Sequence, residues 1–391
     1  MDTYFAAFER KMVAAGLVDH GAVTMGFLDD RIAWNREGRD LGFETELFDR
    51  LSINSLMVGF PAEPYLSILR FLASRNPLAI EPRDCETRTF LHDLPVTDSR
   101  SAEKVSAILK KRKSAIITDG TLVTTGTVSL EQAFVTFSSV CFSAFVTFFS
   151  DYLALHKKGA ADPEYQKVFL NVSDLLPPPV GVGTALMQGP FATDQQVIAA
   201  MDQAGKKTVE YRLVDSYFGN ISYRLGDILY ISQTGSSLDD LPGCIDPCSL
   251  TGRSCAAITA SSELGAHMNI LAETGKTAIL HGHPRFSVIL SMDCDVTDCQ
   301  GGDACYRTCA HTREVLGVPI VPGEVGGGPF GLCNTVPAAL KDSPAVIVYG
   351  HGLFAVSDTD FNESFRLLHS IENRCREEYF RRVGWGRKTS F

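Results

Sequence analysis

The chain has 391 residues, 45% of them hydrophobic and 21% charged, enough to bury substantial cores in two or three domains of ordinary size. Its formal net charge of −10 disfavours a nucleic-acid binder, because affinity for a phosphate backbone comes from clustered Lys and Arg. Eleven cysteines, an odd number in a chain too long to need stapling, and a first stretch without the apolar core of a signal peptide predict a cytoplasmic protein with reduced or ligating thiols.

In the N-terminal half, Gln132 to Ser150 runs 19 residues without a charge, just long enough to span a bilayer. Its Ser, Thr and Phe content, and the Asp151 that ends it, read instead as a buried helix, and no membrane partner is expected. A helix apolar all round must be covered, in the contact between the two halves of the chain or between chains.

The two halves resemble each other. Lys104–Val123 lies over Thr335–Phe354 at an offset of 231, with Ala107/Ala338, Leu109/Leu340, Lys110/Lys341, Ile116/Ile347 and Leu122/Leu353 identical. Upstream, Phe71–Ile80 lies over Ile270–Ile279 at an offset of 199. Two blocks in the same order predict a duplication, with about 32 extra residues in the second copy. These registers place Glu263 on Pro64, His281 and His283 on Pro82 and Asp84, and His351 on Gly120. The first copy, 1–155, is therefore expected to be a scaffold without metal ligands.

Residues 156–190 contain three consecutive prolines and several glycines, which predicts a linker. Thr193 and Gln196 then form a capping-box pattern, opening a second domain over 191–391. In Tyr217–Leu241, Gly219 and Asn220 make a turn before a strand, and Thr234 and Gly235 make another after the next strand. Each turn either supplies donors suited to an anion or is an ordinary hairpin connection. Ala260–Glu273 reads as a helix opening at Ser261 and Ser262, whose free N–H groups and hydroxyls suit a phosphate or simply cap the helix. Thr277–His283 and Ala345–Gly352 are short apolar runs ending in glycine and histidine. Alternation puts His281 and His283 on one strand face, and with a distant His351 they form a recurring donor set for a divalent metal; an isolated pair would more often be structural.

The order GNIS, QTG, SSE, HGH, GHG resembles the class II aldolase and adducin family over about 200 residues, from Thr193 to the C-terminus. The resemblance implies tandem three-layer α/β/α domains, each with a mostly antiparallel central sheet flanked by helices. It implies that Gly219, Asn220, Thr234, Gly235, Ser261 and Ser262 cradle a phosphate, and that His281, His283 and His351 hold Zn²⁺ or another divalent ion such as Mn²⁺, Fe²⁺ or Co²⁺. Glu263 would be a further resting ligand and then the proton-transfer base. The activity implied is reversible cleavage of a ketose 1-phosphate to dihydroxyacetone phosphate and an aldehyde through a metal-stabilised enediolate. The alternatives are epimerisation or dehydration of a sugar phosphate, or a non-catalytic adducin-like assembly role. The partner implied is a phosphorylated sugar, in a homo-oligomer such as a dimer forming a pseudo-tetrameric ring. The family's tyrosine acid has no match: its region is occupied by a Cys-rich insertion, 291–323, where Tyr306 is the nearest tyrosine.

Seven cysteines fall in two clusters, Cys244, Cys248 and Cys255, then Cys294, Cys299, Cys305 and Cys309. Their spacings lack C-x2-C knuckles and ferredoxin patterns. The surrounding Gly, Asp and Pro argue against core packing, leaving a structural zinc or iron–sulfur site, disulfides or no shared ligation.

Overall fold

Three consecutive prolines, 177–179, mark the division of the chain into two compact units, Met1–Pro178 and Pro179–Phe391. Proline has no N–H to extend a helix or join a ladder, so a run of three ends regular structure. The computed structural model describes residues 2–385 except 37–39, 180, 182, 184, 215–216, 253–255, 297–298, 300 and 325–327.

The first unit runs α1 (Asp2–Ala14), β1 (Val23–Leu28), β2 (Ile32–Trp34), α2 (Gly42–Arg50), β3 (Ser55–Gly59), α3 (Tyr65–Arg75), β4 (Ala79–Ile80), α4 (Cys85–Phe90), β5 (Leu94–Thr97), α5 (Ala102–Leu109), β6 (Ser114–Ile117), β7 (Leu122–Gly126), α6 (Leu130–Lys157) and α7 (Pro163–Asp174). Much of the segment expected as a linker is therefore helix: Asp162 caps α7 by accepting from Tyr165 N, and Pro163 occupies its first turn. α6 is long and apolar enough to cross a membrane by length and composition, but 89% of its apolar window is buried. Its covering is supplied within its own unit by β3, β7 and α3, and by Tyr165 and Phe169 of α7. Tyr165 Oη donates to the Phe148 carbonyl, and Phe169 stacks on Tyr152.

The second unit runs α8 (Asp194–Glu210), β8 (Asn220–Leu225), β9 (Ile228–Ser232), β10 (Ile245–Ser249), α9 (Leu264–Thr274), β11 (Ala278–Gly282), α10 (Arg285–Met292), α11 (Cys305–Thr308), β12 (Arg313–Val315), β13 (Val318–Val321), α12 (Leu332–Leu340), β14 (Ala345–Val348), β15 (Gly352–Ser357) and α13 (Phe361–Arg382). As the spacing predicts, Thr193 caps α8 by accepting from Gln196 N, while Gln196 reaches back to Ala192 N. α9 and α12 pack on the sheet around Ile279, Val346, Val348 and Phe354, and α10 and α13 pack together against β14 and β15. The result is three layers of helix, sheet and helix.

The sheets share one topology. The first has the order β2-β1-β3-β7-β6-β5-β4; the second has β9-β8-β11-β15-β14-β13-β12, with β10 added beyond β9. In each, one neighbouring pair is parallel, β5 with β6 and β13 with β14, and the other pairs are antiparallel. The 231 offset lays β6 on β14, β7 on β15 and α5 on α12.

The 199 offset does not survive. It lays α3 on α9 and β4 on β11, whereas pairing lays β3 on β11. Ser55 faces Gly126 as Ala278 faces Ser357, which sets an offset of 223 (278 less 55). The second copy is thus about 8 residues longer between these strands and β7 or β15 (231 less 223), not 32, because β12 and β13 belong to the shared sheet. Upstream, Phe27 faces Ser55 as Tyr223 faces Ala278, an offset of 196 (223 less 27). About 27 extra residues (223 less 196) therefore lie between β8 and β11, the stretch that carries β10 and Glu263.

Candidate metal centre

His281 and His283 come from the end of β11, and His351 from the turn between β14 and β15. β11 is buried along its whole length, and pairing with β15 sets His281 opposite Phe354. The His281 ring stacks on Phe354 at 3.9 Å between centroids, and Phe218 stacks on His283 at 5.5 Å. Gly352 and Gly282 are required by space: a Cβ on Gly352 would stand 2.5 Å from the Gly282 carbonyl and 2.7 Å from the His281 ring.

The ring nitrogens converge. His281 Nε2 lies 3.0 Å from His283 Nε2 and 3.3 Å from His351 Nε2. The Glu263 carboxylate stands beside two of the rings, 3.6 Å from His281 Nε2 and 3.3 Å from His351 Nε2. Nitrogen and oxygen ligands about 2.0–2.1 Å from a tetrahedral zinc stand roughly 3.3 Å apart, so this donor set fits a small divalent cation. The tautomer agrees: His281 Nδ1 lies 3.1 Å from the Leu353 carbonyl, which can only accept, so the proton sits on Nδ1 and the Nε2 lone pair faces the group. Burial lowers the His281 pKa to about 4 and pushes His283 well below its ordinary value, keeping both imidazoles neutral. Burial opposes ionisation of Glu263, but His281, His351 and the Asn220 amide outweigh it and hold the carboxyl far below the usual range. Among the described residues, these three histidines are the one set of three His, Cys, Asp or Glu whose ligand atoms all lie within 4.8 Å of one another.

A directed chain of hydrogen bonds stands behind Glu263. Ser222 Oγ donates to His267 Nδ1 (2.7 Å), His267 Nε2 donates to Asn220 Oδ1 (2.5 Å), and Asn220 Nδ2 donates to Glu263 Oε2 (2.8 Å). His267 is fully buried, and burial lowers its pKa to about 3, consistent with the neutral ring that the chain requires. His267 was not among the residues picked out by sequence. Its spacing of four from Glu263 on one helix face is the signal that could have found it.

Residues 199–379 match the family model described as Class II Aldolase and Adducin N-terminal domain. The second unit belongs to the class II aldolase and adducin family. Among solved structures, L-fuculose-1-phosphate aldolase from Thermus thermophilus is similar at 25% identity, covering 50% of this chain and 100% of that one with a TM-score of 0.40. YgbL from Escherichia coli, a putative aldolase/epimerase/decarboxylase, is similar at 19% identity, covering 50% and 91% with a TM-score of 0.39. No match was found among curated proteins.

Of the residues expected at a phosphate, Thr234, Gly235 and Ser261 lie close together. Ser261 N donates to the Ser232 carbonyl and Thr234 Oγ1 to the Ala260 carbonyl, which seats the 234–235 turn beside Ser261. Gly219 has φ +79 and passes against the His281 carbonyl, where a Cβ would come within 2.4 Å, so the turn before Asn220 needs glycine. α9 opens at Leu264 rather than at Ser261 and Ser262. Glu263 holds the cap position without a side-chain bond to the helix, because its carboxylate is turned to Asn220 and the imidazoles.

Three cysteines of the second cluster, Cys299, Cys305 and Cys309, lie near one another. Cys248 is buried in the core with Leu229 and Ile231, behaving as a small apolar side chain, which corrects the reading that neither cluster packs into a core. Cys255 lies outside the described residues. Cys299 and Cys305 approach each other across Gly301, where a Cβ would be 3.2 and 3.0 Å from their sulfurs, while Cys294 is exposed.

Proposed function

We propose that the second unit is a divalent-metal lyase, with zinc the first candidate, that cleaves a ketose 1-phosphate into dihydroxyacetone phosphate and an aldehyde. The observation that carries this reading is the convergence of three buried imidazole rings, with the Glu263 carboxylate beside His281 and His351. His281, His283 and His351 would hold the ion, whose chemistry is Lewis-acid polarisation of a carbonyl and stabilisation of the negative charge that develops on its oxygen. Glu263 then takes and returns the proton at the carbon where the bond forms or breaks, steadied by Asn220 and His267. Asn220, Thr234, Gly235, Ser261 and Ser262 hold the phosphate and so fix which carbon faces Glu263. Burial of the imidazoles excludes water from the charge being moved.

The test joins metal analysis with a screen of ketose 1-phosphates, L-fuculose 1-phosphate among them, scoring release of dihydroxyacetone phosphate. Purified protein is expected to carry about one such ion per chain, and His283→Ala to lose both ion and cleavage. Full occupancy at this site in that variant would remove the metal assignment. A sugar-phosphate product with its carbon chain unbroken would replace the lyase with an epimerase or dehydratase on the same site.

A further inference from the structure

The shared register identifies what stands in the first unit where the second carries its metal ligands. Val58 takes the place of His281, Phe60 that of His283, Gly120 that of His351 and Thr24 that of Asn220. These replacements remove every imidazole, so the cleft cannot hold the ion. It has nevertheless not closed. A cavity of about 450 Å³ persists at the corresponding strand ends, walled by Thr24, Val58, Phe60, Thr121, Glu44 and Arg100.

A cleft kept only as scaffold would be expected to fill with apolar side chains at interior density. This one is lined with polar groups instead. Glu44 is 5% exposed, and among the described residues its one polar partner is the Arg100 guanidinium, 3.7 Å away and beyond hydrogen-bond range. The Thr121 hydroxyl is buried with no hydrogen-bond partner among the described residues. A nearly buried carboxylate whose oxygens stay open to the cavity offers unused lone pairs to O–H or N–H donors that enter it. Charge narrows the choice of ligand: Asp40 and Glu44 against Arg100 leave the lining with a net negative charge, which opposes a phosphate dianion.

We infer that the first unit binds an unphosphorylated sugar or polyol in this cleft. Its hydroxyls donate to the Glu44 carboxylate and accept from Arg100, and a volume of about 450 Å³ lies in the range of ordinary small-molecule pockets. This inference rests on the first unit alone and stands apart from the lyase reading.

The experiment is ligand-detected saturation-transfer NMR on the full chain, with L-fucose, D-glucose, xylitol and inorganic phosphate as separate probes. At least one sugar or polyol is expected to show contact, with the signal kept in His283→Ala and the affinity about tenfold weaker in Glu44→Gln, from loss of a charged acceptor. Arg100→Ala, at a half-exposed position, is expected to weaken binding as well and serves if Glu44→Gln fails to fold. The inference is overturned if no sugar or polyol binds, if phosphate alone binds, or if binding is unchanged in the folded first-unit variants.

Discussion

His267 donates from Nε2 to Asn220 Oδ1 at 2.5 Å, and through that amide it reaches Glu263, the proposed base. His267 itself lies one layer behind the donor set, held from its other side by Ser222. If its role is to aim Asn220 and Glu263, His267→Ala should leave the metal content near wild type while turnover falls by about 10- to 100-fold, the usual cost of losing an outer-shell partner. Metal analysis beside steady-state kinetics decides it. Unchanged turnover would show that Glu263 needs no such support.

Glu263→Gln keeps the shape of the side chain and its acceptor for Asn220 but removes the base. Binding of a phosphate ligand is expected to persist while turnover drops by about 10²-fold or more. Wild-type turnover in that variant would take Glu263 out of the mechanism.

Gly352 has no room for a methyl group between the Gly282 carbonyl and the rings of His281 and His283, the last of which would be 2.9 Å from the new Cβ. Gly352→Ala should therefore push the imidazoles apart and weaken metal affinity by about tenfold or more, measured by competition with a chromogenic chelator. Retained affinity would mean that the strands shift to absorb the methyl group.

Asp84 is fully buried at the start of α4, accepting from Thr87 N at 2.7 Å and from Ser143 Oγ of α6 at 3.2 Å. Burial raises its pKa against these hydrogen bonds. A carboxyl raised in the folded state contributes stability that is fully present below its ordinary value near 3.8 and is lost as pH rises through the folded value. Asp84→Asn, which does not titrate, should therefore gain on wild type as pH rises from about 4 to neutrality, by on the order of 2 °C in Tm. A difference in Tm that stays flat over that range would contradict this account.

The 231 offset was legible because it spans a helix, a turn and two strands whose apolar positions recur in fixed phase, and α5 to β7 do lie on α12 to β15. The 199 offset failed because FLASRNPLAI and ILAETGKTAI are both a helix running into a strand, and patterning cannot tell one such unit from another. Pairing can: β11 lies between β8 and β15, as β3 lies between β1 and β7. Asp84 is consequently a helix cap in the first unit and not the counterpart of His283.

The sequence by itself determined the chemistry on offer in the second unit: two histidines in alternation on one strand, a third after another strand, and a glutamate and serines ahead of a helix. Those are local patterns, set by strand and helix periods that act over a few residues. Only the tertiary structure decided that the imidazoles of His281, His283 and His351 converge, with His281 and His351 within 3.3–3.6 Å of Glu263, and that His267 stands behind them. It also decided that the matching cleft of the first unit stays open around Glu44. These are contacts between residues tens of positions apart, fixed by strand order and register, and no local preference encodes which strand becomes the neighbour of which.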